Sequence, residues 1–203
     1  MRTPGPEMAP GAARLVVAVA AGPAHELLRR EAADFHQVPT RAIVLEHDCG
    51  RCGSSEHGRP RILPSPSVRV PASVSLARSG DVSVVAVTDA GDVGVDAELL
   101  DAAEFPGFDD VVLGVGEMDD HALDRTRVWV RTEALLKACG TGLSLDPREI
   151  AIDDHGRVTS TVAGLPASVR LLDLELLGRA VSVVVVAAER VDDLSVEVRT
   201  SDA

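Results

Sequence analysis

Two uncharged apolar runs, Leu15 to Ala21 and Val181 to Ala188, set the scale of what this chain can fold into. Each is the length of a single buried strand, and neither approaches the roughly 20 apolar residues that a membrane-spanning helix needs. The start of the chain, with Arg2, Arg14, the first apolar run and then Gly22-Pro23-Ala24, imitates a signal peptide, but the run is short and reads equally as a strand. With three Phe, one Trp and no Tyr, the core must be filled by Val, Leu, Ala and Ile. Little aromatic material remains for base-stacking platforms. Twenty basic residues against 32 acidic ones give a net charge of −12, which disfavours unspecific attachment to nucleic acid or an anionic membrane. Three cysteines, Cys49, Cys52 and Cys139, are too few for a disulfide framework, and a reducing cytoplasm is the expected location.

The 203 residues suit one moderate domain or two small ones packed as a unit. Residues 1–13, rich in Pro, Gly, Ala and Thr, read as a flexible N-terminus, and residues 191–203 as a flexible tail. Between them, a strand over Leu15 to Ala20 precedes an amphipathic helix over Pro23 to Phe35, and Arg41 to Leu45 reads as a short strand. The segment from His47 to Pro60, followed by Pro64, Pro66 and Pro71, reads as an irregular connection. Asp81 to Val87 and Val93 to Ala97, separated by the turn chemistry of Thr88 to Asp92, predict a hairpin. A helix is expected over His121 to Ala138, capped by Asp120 or Asp124 and stopped by Gly140 and Gly142. The remainder is strand-like: Glu149 to Asp153, Val158 to Val162, Val169 to Glu175 and Ala180 to Ala188, with turns at His155-Gly156, Gly164 to Pro166 and Gly178. Helix followed by strands occurs twice, so two similar α+β halves are expected, an N-terminal lobe over 14–98 and a C-terminal lobe over 99–190.

Charge is distributed unevenly along this plan. Residues 81–124 carry 13 acidic side chains and no Lys or Arg, whereas 51–80 carry five Arg and only Glu56. Nineteen of the 20 basic residues are Arg, and the single lysine is Lys137, either a position that needs an ammonium and not a guanidinium or a chance residue on a solvated helix face. In a strand over Gly94-Val95-Asp96-Ala97-Glu98, alternation puts Gly94, Asp96 and Glu98 on one face, so two carboxylates project side by side. On the downstream helix Glu133 and Lys137 lie four apart on one face. Mg²⁺ favours a few carboxylates together with substrate phosphate oxygens, and Asp96, Glu98 and Glu133 are the candidate ligands. Arg59 and Arg61, with His57, Gly58 and Pro60, and Arg78 before Ser79-Gly80, offer the guanidinium forks and glycine backbone that suit phosphate. The segment Cys49-Gly-Arg-Cys52, flanked by His47 and His57, holds four potential Zn²⁺ ligands within eleven positions. One CxxC with two histidines falls short of a zinc signature, and a reduced pair of thiols is the expectation.

Taken in order, these segments resemble the 4′-phosphopantetheinyl transferases of the two-lobed, surfactin-synthetase-activating type, over most of residues 20–188. HGRP at His57 to Pro60 is similar to the family's GKP-type segment, SLARSGDVSVVAV from Ser75 to its SHS-bearing strand, and GVDAE from Gly94 to its G-(I/V)-D-x-E. WVRTEALLKACGTGL from Trp129 is similar to its W-x-x-KE-x-x-x-K-x-x-G-x-G. The resemblance implies a pseudo-dimer of two similar α+β lobes with coenzyme A in the cleft between them, and a monomer. Carried over by position, it implies that Asp96, Glu98 and Glu133 hold Mg²⁺ (or Mn²⁺), that Glu133 and Lys137 are catalytic, and that His57, Arg59, Pro60, Arg78, Ser79 and Lys137 bind coenzyme A. The implied partner is an acyl, peptidyl or aryl carrier protein, whose serine takes phosphopantetheine with release of 3′,5′-ADP. Ala77-Arg78 stands where the family often has Ser-His, Ser73 or Ser75 stands near a frequent Asn, and Thr132, beside Arg131, replaces a usual Lys, so one phosphate-facing charge is missing or displaced. A relative that binds coenzyme A or a carrier without efficient transfer, and a zinc-stabilised interaction module around Cys49 and Cys52, are the competing readings.

Overall fold

Strict alternation along the valine-rich strands sends side chains to both sides of each sheet, so each strand needs a packing partner on both faces. The computed structural model describes residues 12–49, 52–100, 102, 125–142, 145–153, 157–158, 168–187 and 194–201. The chain runs β1 (Ala13–Ala21), α1 (Ala24–His36), a 3₁₀ turn at Thr40–Ala42, β2 (Leu45–Asp48), β3 (Arg59–Ile62), β4 (Ser73–Ser79) and β5 (Val82–Thr88). It continues with β6 (Asp92–Leu99), α2 (Arg125–Cys139), a 3₁₀ turn at Pro147–Glu149, β7 (Ser168–Leu176), β8 (Arg179–Ala187) and β9 (Leu194–Ser201). This is a mixed α+β protein. None of its described helices is long and apolar enough to cross a membrane.

One sheet has the order β4-β5-β1-β9, a second has β6-β8-β7, and β2 and β3 form a separate hairpin. In both larger sheets an opening strand, β1 or β6, is followed by a helix and then by an antiparallel hairpin, β4-β5 or β7-β8. The second hairpin strand then pairs antiparallel with the opening strand, β5 with β1 and β8 with β6. The two units therefore share one connectivity.

The cores follow from the alternation. Val16, Ala18 and Ala20 of β1 pack with Leu27, Leu28, Ala32 and Phe35 of α1, while Leu15, Val17 and Val19 turn to the other side. There they meet Val93, Val95 and Ala97 of β6 and Val181, Val183 and Val185 of β8, so the two sheets face one another. Beyond the second sheet, Val184 and Val186 pack with Ala134, Leu135, Leu136 and Ala138 of α2. The layers run α1, first sheet, second sheet, α2.

Four expectations are corrected. Thr88 to Asp92 does not close a hairpin: both edges of β5 are taken, by β1 and β4, so the turn carries the chain across to the second sheet and β6 pairs with β8. For the same reason residues 92–98, the last of the lobe expected over 14–98, belong to β6 of the second sheet. Leu194–Ser201, expected in a flexible tail, is a strand parallel to β1, tied to α1 by a 2.7 Å contact from Arg199 Nη1 to the buried Glu31 Oε2. Arg41 to Leu45 is divided between the 3₁₀ turn and the start of β2. The candidate caps Asp120 and Asp124, the turns at His155-Gly156 and Gly164 to Pro166, residues 1–11 and most of Val158 to Val162 lie outside the described residues.

Candidate functional site

The outward face of β6 is where α2 lies closest to a sheet. Gly94 makes that approach possible, because a Cβ there would overlap the Ala134 carbonyl and the Ala138 amide nitrogen. Two residues further along the same face is Asp96, 6% exposed, and then Glu98. From α2, Lys137 reaches down and donates from Nζ to Asp96 Oδ1 at 2.6 Å and to the Val95 carbonyl at 3.2 Å. Glu133, one helical turn earlier, is half-buried beside the same lysine.

Electrostatics shows that the three carboxylates share one environment. Burial pushes the Asp96 carboxyl above its ordinary range, outweighing the Lys137 ammonium beside it. Glu98 is raised by burial and then by the charge of Asp96, against a hydrogen bond from Ser79. Burial also raises Glu133, opposed by Lys137 and reinforced by Asp96 and Glu98. Three acids around one ammonium leave negative charge uncompensated, and Asp96 Oδ2, buried, has no hydrogen-bond partner among the described residues. Carboxylates are the donors a hard divalent cation takes, but the oxygens of Asp96, Glu98 and Glu133 do not all lie within 4.8 Å of one another, so the three are neighbours in charge and not a closed set of ligands.

β4 braces this strand from the other side. β6 is an edge strand of its sheet, so half of its amides lack a ladder partner. The Ser73 and Ser75 hydroxyls fill that role, accepting from the Val93 and Val95 amides at 3.1 and 3.0 Å. Ser79, buried on the same strand, completes the series at Glu98. In sequence Ser73 and Ser75 stand out only as substitutes near a frequent Asn, and Ser79 only as a coenzyme A contact implied by the resemblance. Their period-two spacing was the signal for a strand docking on a polar edge.

The basic candidates are dispersed around this centre. Arg59 donates from Nη2 to Asp92 at 2.6 Å and to Ser73 Oγ at 3.3 Å. With the buried Pro60 it lines a cavity of about 750 Å³, whose wall also includes Arg14 and His36. The cavity lies at the Asp92 end of β6, and the carboxylates lie outside its lining. From Asp92 to Asp96 the strand spans about 13 Å. Arg78 is exposed and close enough to His25 to disfavour its protonation, as are His47 and Arg29; burial, the larger cause, acts in the same sense. Neither His25 nor Arg29 was marked by sequence, because partners this distant in the chain leave no local pattern. Arg131 is turned away from the carboxylates into a two-point contact with Asp173 Oδ2 at 2.9 and 2.6 Å, and Thr132 is buried. The charge expected beside Glu133 is therefore absent from this face of α2. His57 directs Nε2 to Cys52 Sγ at 3.3 Å, and His47 pairs with His25 Nε2 at 2.9 Å. Among known proteins, no family model and no curated sequence matches this chain.

Proposed function

We propose that this chain is a 4′-phosphopantetheinyl transferase that moves phosphopantetheine from coenzyme A to a serine of an acyl, peptidyl or aryl carrier protein and releases 3′,5′-ADP. The observation that carries the reading is the buried Asp96 held by Lys137, with Glu98 and Glu133 near enough for their charges to act on both and one Asp96 oxygen without a partner among the described residues. The shared connectivity of the two units supports the finer architecture as well, a pseudo-dimer of two α+β lobes with the site at their junction.

In this reading Asp96, Glu98 and Glu133 would hold Mg²⁺, or Mn²⁺, which when bound offsets the charge on the pyrophosphate and on its departing half. Lys137 supplies a compact positive charge to a phosphate oxygen, and its Asp96 and Val95 contacts fix where that charge stands. Arg59 receives an anion at the nucleotide end, since its partner Asp92 is 61% exposed and yields easily to a better-placed phosphate. Glu133, or a water beside it, takes the serine proton. The serine oxygen forms a bond to the β-phosphorus as the bond from that phosphorus to the bridging oxygen breaks, leaving 3′,5′-ADP. Catalysis of this kind is positioning and electrostatics.

Arg131 committed to Asp173, and Thr132 in the core, favour a second reading in which the chain binds coenzyme A or a carrier without efficient transfer. Intact mass of apo carrier proteins incubated with the chain, coenzyme A and Mg²⁺ separates the two. A chelator-sensitive gain of one phosphopantetheine, abolished by Glu133→Gln, is the expected result; coenzyme A binding with no gain on any carrier moves the conclusion to the second reading.

A further inference from the structure

We propose that Cys49, Cys52 and His57 bind a zinc ion at the tip of the β2-β3 hairpin. Pairing of the hairpin ends at Asp48 with Arg59, so Cys49, Cys52 and His57 lie at its tip. The two sulfurs and one ring nitrogen all lie within 4.8 Å of one another, and Cys52 Sγ is 3.3 Å from His57 Nε2. Tetrahedral zinc, with bonds of about 2.3 Å to sulfur and 2.0 Å to nitrogen, separates S from N by about 3.6 Å and S from S by about 3.8 Å. The three atoms need shifts of only about 1 Å to meet that geometry.

The backbone is shaped to hold them there. The Gly53 amide donates to the Cys49 carbonyl at 2.8 Å, and the Cys49 amide donates to the Ser54 carbonyl at 3.1 Å, which brings the backbone after Cys52 back against Cys49. Gly53 takes a left-handed φ of 69°, which a glycine directly after the second cysteine permits. Gly58 has φ 106°, and a Cβ there would overlap the Asp48 carbonyl and the Cys49 Cα. That close crossing is what carries His57 back to the two cysteines. No cysteine of the chain is in a disulfide. Thiolate ligands select zinc over hard cations, and two thiolates with a neutral imidazole balance its charge.

The fourth potential ligand in the sequence, His47, is not in the group, because its ring pairs with His25 of α1. Three protein ligands leave one position for water. With two strands of four residues each, the hairpin is marginal by itself, and a metal clamp at its tip fixes the segment that runs directly into Arg59 and Pro60 at the cavity.

The test uses the full chain, purified without chelator in reducing buffer, with zinc measured by mass spectrometry and the apo chain refilled with Co²⁺. We expect one zinc per chain, a thiolate-to-cobalt charge-transfer band and the visible absorption of tetrahedral cobalt. Cys52→Ser and His57→Ala should each lose the zinc and alter the cobalt spectrum while far-ultraviolet circular dichroism is retained, and His47→Ala should keep both. Zinc well below one per chain, a Cys49–Cys52 disulfide in the freshly purified protein, or full zinc in His57→Ala would overturn the site. So would loss of zinc in His47→Ala.

Discussion

The two units run through the same order of strand, helix and hairpin, yet they use the contact between opening strand and helix differently. In the first, β1 offers Val16, Ala18 and Ala20 to α1, and the interface is hydrocarbon against hydrocarbon. In the second, β6 offers Gly94, Asp96 and Glu98 to α2, which answers with Glu133 and Lys137. One copy of the arrangement is thus apolar throughout, and the other gathers charge. The second bears a cost: buried carboxylates that resist ionisation, an Asp96 oxygen with no partner among the described residues, and a helix held against bare strand backbone. What offsets it is the rest of the unit, where Val184, Val186, Leu135 and Leu136 form an ordinary core beside the charges.

The most direct way to break this contrast is to give β6 the side chain that β1 already has. Ala18 sits comfortably under α1, whereas Gly94→Ala drives a methyl into the backbone of α2 at Ala134 and Ala138. Overpacking against backbone cannot be relieved by a rotamer change, and a loss of about 3 kcal/mol is expected in denaturant unfolding. A variant as stable as the parent would mean that α2 does not ride directly on β6. Lys137→Met comes next. It leaves Asp96 buried without its cation, but Lys137 is 31% exposed, so the loss should be about 2 kcal/mol, below that for a wholly buried pair. Added Mg²⁺ should restore part of that stability if the carboxylates take a metal, and thermal unfolding with and without the ion reads it directly.

The elements of this contrast were legible in sequence to different degrees. Alternation alone put Asp96 and Glu98 on one face, and the four-residue spacing did the same for Glu133 and Lys137. That the two faces meet is a tertiary fact, for which Gly94 was the overlooked sign: a glycine inside a strand marks a close approach of another backbone. The mistaken hairpin between β5 and β6 has a physical cause too, since turn residues and alternation describe a reversal of the chain without reporting which strand edges are vacant. β9 was missed because its polar residues suggested a tail, although Leu194, Val196 and Val198 keep period two on an edge strand. The pairing of His25 with His47, and of Arg131 with Asp173, joins residues far apart in the chain and could not be read locally.

The smallest expected effect has the opposite sign and sharpens the comparison most. In the folded chain the carboxyls of Asp96, Glu98 and Glu133 are held above their ordinary range, chiefly by burial, so the folded state keeps protons that the unfolded state gives up. In acid all three are neutral in both states and cost nothing. As pH rises through the ordinary carboxylate range the unfolded chain ionises first, and stability falls until the folded carboxyls have ionised as well. Glu133→Gln removes one of these groups. It should therefore match the parent near about pH 3 and exceed it at about pH 7, by on the order of 1 kcal/mol, or about 3 °C in Tm for a chain of this size. Millimolar Mg²⁺ should narrow that gap by stabilising only the parent. A gap independent of pH would remove the charge argument for this face of α2, whereas a pH-dependent gap untouched by Mg²⁺ would keep the electrostatics and take away the metal.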